Sequence, residues 1–233
     1  MKEMMDALSA GLPALGLTLT PAQQETLCAF GEAVIRQNEM MNLTAITDPA
    51  QVAKLHLLDS LTVLTAGDLA GKRLIDVGCG AGFPGVPLAI GCPGLKVTLL
   101  DSLGKRVHWL EEILPTLGIR AECVTARAEE AVQTRREQYD VATSRAVARL
   151  NILLELTAPY VKVGGRVIAM KGSAARQELE ESRNAIRRLG LKLEQLKDFE
   201  FDGAVHTLIL LQKIAPTPAQ YPRRYAKIKQ SPL

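Results

Sequence analysis

Apolar residues recur at two different periods along this chain, and the change from one to the other divides it. Up to about residue 65 the spacing is helical. Leu27, Phe30 and Val34 fall on one helix face, and Thr20-Pro21 supplies the start, a hydroxyl cap followed by proline at the first helical position. Asp48-Pro49 repeats that signal ahead of Leu55, Leu58 and Leu61, and Gly67 ends the run. Asn42-Leu-Thr-Ala-Ile-Thr47 connects the two helices. From residue 72 short apolar runs alternate with helical stretches, which predicts a parallel sheet. Strands are expected near 73–77, 96–100, 121–125, 140–144 and 165–170, with the clearest helix over 103–114. The last third predicts one long polar helix over 174–189, then two runs, 191–201 and 205–212. These flank Asp202-Gly203, a pair that turns easily between antiparallel strands.

Composition narrows the class. Of 233 residues 47% are apolar, ordinary for a globular chain with a sizeable core. No apolar run approaches the roughly 18 residues of a membrane helix, and the start of the chain has no charged-then-apolar signal segment. Cys28, Cys79, Cys92 and Cys123 lie far apart without a Cys-x-x-Cys pair or a histidine cluster. They read as reduced thiols of a cytoplasmic protein, with no metal site. The net charge of +3 is mild, but from Lys213 onward there are five Lys or Arg and no acid. A basic tail of this kind fits an acidic partner or simply a solvated end. The expected organisation is a helical region over 1–68, an α/β domain over 69–213 and a basic tail over 214–233.

The strongest chemical signal is Leu74-Ile-Asp-Val-Gly-Cys-Gly-Ala-Gly-Phe-Pro-Gly85, an apolar strand ending in an acid and opening into a glycine loop. Such a loop between strand and helix is where an open α/β sheet takes a nucleotide-like cofactor. Gly80-x-Gly82-x-x-Gly85 formally matches a dinucleotide fingerprint. Asp76, however, would repel a pyrophosphate, and Pro84 removes an N–H that an anion would use. S-adenosylmethionine carries cations and no phosphate, so this acidic loop suits it better. Asp101, ending the second strand, is placed for ribose hydroxyls under either reading. The closing hairpin tips the choice of cofactor. Five parallel strands completed by an antiparallel pair make the class I (Rossmann-like) seven-stranded methyltransferase sheet, here with an N-terminal helical extension, whereas a dehydrogenase half would continue parallel.

Asn42-Leu-Thr44, His56-x-x-Asp59-Ser60, the Asp76 to Gly85 loop, Leu100-Asp-Ser-Leu-Gly-Lys-Arg106 and Ser144-Arg-Ala146 together resemble the bacterial glucose-inhibited division protein B family, over roughly residues 20–213. The resemblance implies a cytoplasmic enzyme that methylates N7 of one guanine, guanine 527, in 16S rRNA. Its partner would be that rRNA, the small ribosomal subunit or an assembly intermediate, met by a monomer. It also implies cofactor contacts at Gly78 and Phe83, at Ala128 and Glu129 after the third strand, and at Arg145 after the fourth. The segment past residue 213 lies outside this shared core and reads as lineage-specific.

The residues permit that chemistry. Guanine N7 has a free lone pair and loses no proton, so no general base is required, and none is obvious. The Asn or Asp tetrapeptide of exocyclic-amine methylation is absent, with Thr143-Ser-Arg-Ala146 in its place, and no cysteine stands where a C5 nucleophile would. Catalysis then rests on orientation, worth roughly 7–11 kcal/mol at best. Arg145 is the candidate catalytic side chain, orienting guanine O6 or a phosphate, or else an ion-pair partner of Asp76 or Asp101. His56 and Asp59 share a helix face and could cap the pocket, or His56 could be a structural histidine. Lys105, Arg106 and Lys171 could form a basic rim, and Arg223 and Arg224 lie in a tail that interleaves cations with aromatics. Two other readings remain: a methyltransferase for another RNA position or a small molecule, and a binding module without catalysis.

Overall fold

The parallel strands order themselves around β1 (Arg73–Val77), whose five residues form a nearly continuous buried run. In the computed structural model, which describes residues 1–233, β1 pairs in parallel with β2 (Lys96–Asp101) on one side and β4 (Tyr139–Arg145) on the other. β3 (Glu122–Thr125) lies outside β2, and β5 (Val161–Lys171) outside β4. β7 (Ala204–Lys213) runs antiparallel to β5 and to β6 (Leu191–Phe201), giving seven strands in the order β3-β2-β1-β4-β5-β7-β6. The chain reverses direction across the sheet between β1 and β4, so their carboxyl ends open a crevice there.

Alternation along the strands separates two cores. Leu74, Val97, Leu99, Val141, Ile168, Leu208 and Leu210 face one side. There they meet α1 (Lys2–Gly11), α2 (Pro21–Asn38) and the helical run over 49–66 through Met4, Leu8, Leu27, Phe30 and Leu57. That run comprises α3 (Pro49–Val52), a wide π-type segment Ala53–Leu58, α4 (Asp59–Leu61) and a tight turn Thr62–Ala66. The same side holds α5 (Gly85–Gly91) and α6 (Gly104–Thr116). Ile75, Val77, Ala142, Val167, Ile209 and Leu211 face the other side. It is covered by α7 (Ala128–Arg135), α8 (Leu150–Thr157), α9 (Ala175–Glu181) and α10 (Arg183–Arg188). The N-terminal helices therefore complete the sheet's own core. Both expected helix starts are present: Thr20 and Gln23 form a reciprocal capping box, and Asp48 accepts from the Gln51 amide at 2.9 Å.

The polar helix expected over 174–189 is two helices. Ser182 is fully buried and its hydroxyl donates to the Glu178 carbonyl at 2.6 Å, offering the backbone a partner that competes with the helical ladder. β5 starts at Val161, earlier than expected, with an irregular register against β4 between Tyr139 and Val141. The C-terminal segment folds back on the second core. Tyr221 and Ile228 are buried, and Arg136 donates to the carbonyls of Thr217 and Tyr221. The last helix, α11 (Tyr225–Gln230), packs against α8.

Candidate active site

A cavity of about 1110 Å³ occupies the crevice at the carboxyl edge of the sheet. Its first wall is the glycine loop, which doubles back over β2: Gly78 and Cys79 both donate to the Leu100 carbonyl, at 2.7 and 3.1 Å. Gly78 adopts φ +75°, and a Cβ there would lie 2.4 Å from Val147, so glycine is required on both counts. Nearly every N–H of the loop is consumed internally. Gly80 donates to Asp101 Oδ2 at 2.9 Å, Gly82 and Phe83 to the Cys79 carbonyl, and Gly85 to Asp76 Oδ2 at 2.8 Å. A pyrophosphate would need those donors free.

The two acids divide their work. Asp101 lines the cavity, with Oδ1 accepting from Leu103 at 2.8 Å and Oδ2 from Gly80, so its orientation is set from both sides while lone pairs remain for a ligand. Asp76 is fully buried behind the loop, where Gly85 fits against it so closely that a Cβ would approach its Oδ2 to 2.9 Å. Its Oδ1 has no partner, and burial pushes its pKa up to about 7. Asp76 thus pins the start of α5 and does not line the cavity. Gly82 also faces inward, against Val86, Leu110 and Phe30. Gly78, Gly80, Phe83, Ala128 and Glu129 all line the cavity, the last two at the start of α7.

Opposite the glycine loop stands a polar cluster drawn from four parts of the chain. Arg145 ends β4, and its Nη1 donates to the Leu55 carbonyl and to Asp59 Oδ2, both at 2.9 Å. Its Nη2 lies 3.2 Å from His56 Nδ1, and its guanidinium sits 5.1 Å from the centre of the Phe83 ring. His56 stacks on the Phe83 ring, with centroids 4.9 Å apart. Burial, reinforced by Arg145, lowers its pKa to about 4, so it is neutral. Its Nε2 lies 2.7 Å from Thr44 Oγ1. The connector is ordered in turn by Asn38, whose Oδ1 accepts from the Leu43 and Thr44 amides at 2.8 and 2.9 Å. The ion-pair partner of Arg145 is therefore Asp59, and neither Asp76 nor Asp101.

The remaining basic candidates separate by environment. Arg106 lines the cavity and donates to the Asn42 carbonyl at 3.2 Å. Lys105 beside it is exposed and outside the lining. Lys171 lines the cavity but is nearly buried, paired with Glu178 at 2.9 Å and donating to the Ala148 carbonyl at 2.5 Å, which ties down the loop after β4. Arg223 is away from the cavity, held by the buried Glu155 through its Nε at 2.8 Å and Nη2 at 2.6 Å. Arg224 is exposed, and its neighbour Tyr225 reaches the cavity wall.

Two groups were not anticipated. His206 donates to Asp59 Oδ1 at 2.9 Å, and Glu155, away from the cavity, is fully buried and paired with Arg223. Both left traces in the sequence: His206 alternates with Leu208 and Leu210 on a strand face, and Glu155 interrupts an apolar helix. No three His, Cys, Asp or Glu side chains come together as a metal site, and no helix is long and apolar enough to cross a membrane.

As a donor set the cavity fits a ligand with hydroxyls and positive charge. It offers the Asp101 carboxylate, Glu129 and the Phe83 face, with few free N–H groups for phosphate. The chain resembles a structure of M. jannaschii TYW2 in complex with AdoMet in fold, with a TM-score of 0.53 at 15% identity over 64% of this chain and 71% of that one. It is 43% identical over 232 residues to a ribosomal RNA small subunit methyltransferase G of Alkaliphilus metalliredigens, covering 97% of each chain. To the protein of that name from Alkaliphilus oremlandii it is 41% identical over 237 aligned positions, covering 99% of each. These matches take in nearly the whole chain, so the segment past residue 213, expected to be lineage-specific, lies largely within them. Residues 23–204 match the GidB family pattern, described as rRNA small subunit methyltransferase G, and the chain belongs to that family.

Proposed function

We propose that this protein is an S-adenosylmethionine-dependent methyltransferase that acts on N7 of one guanine in 16S rRNA, guanine 527. The observation that carries the reading is the state of the polar cluster opposite the glycine loop. Asp59 has both oxygens engaged, by Arg145 and His206. His56 is neutral, with Nδ1 against Arg145 and Nε2 against Thr44. None of these is free to remove a proton, and alkylation at N7 removes none.

Gly78, Phe83, Asp101, Ala128 and Glu129 would hold the cofactor, which supplies an electrophilic methyl group on a sulfonium. What the chain itself contributes is orientation. Three of the five N–H groups of Arg145 are committed to Leu55, Asp59 and His56, leaving two to meet guanine O6 or an adjacent phosphate. Pinned between Asp59 and the Phe83 ring, the guanidinium need not reorganise when the base arrives. Arg106 in the lining and Lys105 beside it, neither in an ion pair, offer charge to the RNA backbone. The partner in this reading is 16S rRNA within the small subunit or a precursor of it, met in the cytoplasm by a monomer.

Methyl transfer from labelled S-adenosylmethionine to small subunits lacking the modification, mapped by N7-specific strand cleavage, tests this. Label at a single guanine of the small-subunit RNA is the expected result. Label at another atom, or on a small molecule alone, overturns it.

A further inference from the structure

His206 enters the site from an element remote from the rest. It stands near the start of β7, on the face whose next two positions, Leu208 and Leu210, are buried in the core shared with the N-terminal helices. Its Nδ1 lies 2.9 Å from Asp59 Oδ1, while Asp59 Oδ2 accepts from Arg145 at 2.9 Å. A carboxylate only accepts, so Nδ1 carries the proton and donates. Phe201 sets the ring plane from the neighbouring strand, edge to face at 5.2 Å. The hairpin turn grips the same helical run a second time. Asp202 accepts from Lys54 at 2.7 Å and from Gln51 at 2.8 Å.

The terminal torsion of an aspartate is broad, so a carboxylate held at one oxygen can still turn. Asp59 is held at both oxygens by two different elements, and Arg145 is held by Asp59. We propose that His206 is a positioning residue for the RNA substrate: by clamping Asp59 it fixes the plane of Arg145 and aims the two uncommitted N–H groups of that arginine at the target guanine. The inference rests on the rRNA methyltransferase reading for the identity of the substrate. The clamp itself does not.

The charged and titratable groups around His206 are Asp59 from α4, Arg145 from β4, the neutral His56 and the Lys54–Asp202 pair. The hydrogen bond to Asp59 raises the His206 pKa above its ordinary 6.5. Because the shift is upward, the protonated ring is favoured, and the bond passes from one between two charged partners to one with a neutral donor as pH rises through the raised value.

Steady-state transfer to small subunits and calorimetric cofactor binding are measured for His206→Ala and His206→Asn, the second placing an amide N–H where Nδ1 stood. His206→Ala should lower kcat/KM for the RNA roughly 10- to 100-fold, as small misplacements of an orienting group do, with cofactor affinity kept. His206→Asn should restore most of the rate and be free of the decline toward alkaline pH that the clamp predicts for wild type. Unchanged kcat/KM in the alanine variant, equal losses in both variants, or a loss confined to cofactor affinity overturns the proposal. Independently, the His206 Cε1–H resonance should titrate above 6.5 in wild type and fall in Asp59→Asn. An unmoved titration overturns the clamp, whereas a wild type inactive on every ribosomal substrate overturns only the identity of the substrate.

Discussion

Asp59 and Arg145 stand 86 residues apart in the chain and meet at 2.9 Å, with side chains only 6% and 17% exposed. One comes from the N-terminal helical run and the other from the end of β4, so the pair fastens the added helices to the sheet at the rim of the crevice. Water is largely excluded from it, and either partner left alone would be a buried charge.

Arg145→Lys separates charge from geometry. Lysine still neutralises Asp59, but it cannot reach the Leu55 carbonyl, Asp59 and His56 at once while keeping a planar donor fork for the base. Folding stability should stay near wild type, and methyl transfer should fall by about tenfold or more, since a bidentate contact is worth roughly 1–3 kcal/mol. Urea unfolding alongside turnover on small subunits checks this, and a lysine variant with wild-type turnover would refute the role of the fork.

Arg223 and Arg224 look alike in sequence and should behave differently. Glu155 is completely buried and takes three donors from Arg223: its backbone N–H at 2.9 Å, Nε at 2.8 Å and Nη2 at 2.6 Å. Arg223→Ala leaves that carboxylate uncompensated and should cost about 3–5 kcal/mol, with faster amide exchange over 217–230. Arg224→Ala should leave stability within about 0.5 kcal/mol. If it meets RNA, it should flatten the salt dependence of binding by about one charge. Chemical denaturation and hydrogen exchange of the two variants decide it. Equal stabilities would mean that the buried pair does not anchor the tail.

What could be read in advance follows from how local each cause is. β1 and β2 are runs of buried residues bounded by polar ones, and the Asp202-Gly203 turn needs no distant partner, so these were legible. The break at Ser182 was hidden because serine is acceptable within a helix, and only its burial turns the hydroxyl onto Glu178. The partner of Arg145 depends on how the helical run settles over the sheet edge, which no spacing encodes. Asp76 was legible and passed over. It is two residues from Leu74 on a strand, hence on the same face, directed beneath α5 and away from the crevice.

The burial of Asp76 also makes the stability of this fold depend on pH in an unusual direction. Its folded pKa of about 7 stands above the ordinary 3.8, chiefly through burial. Between those two values the unfolded chain has released this proton and the folded chain still holds it. Linkage then makes the Asp76 contribution fall as pH rises from about 4 to about 7, by up to about 1.4 kcal/mol per pH unit, and level off above. Asparagine keeps an acceptor for the Gly85 amide at 2.8 Å and cannot ionise. The stability of Asp76→Asn relative to wild type should therefore improve steadily from pH 5 to pH 7 and then hold constant. Urea denaturation of both proteins across that range measures the difference directly, with the titration of every other group cancelling between them. Parallel curves would show that Asp76 is ionised throughout, and that the carboxylate behind the glycine loop is stabilised by more than the Gly85 amide.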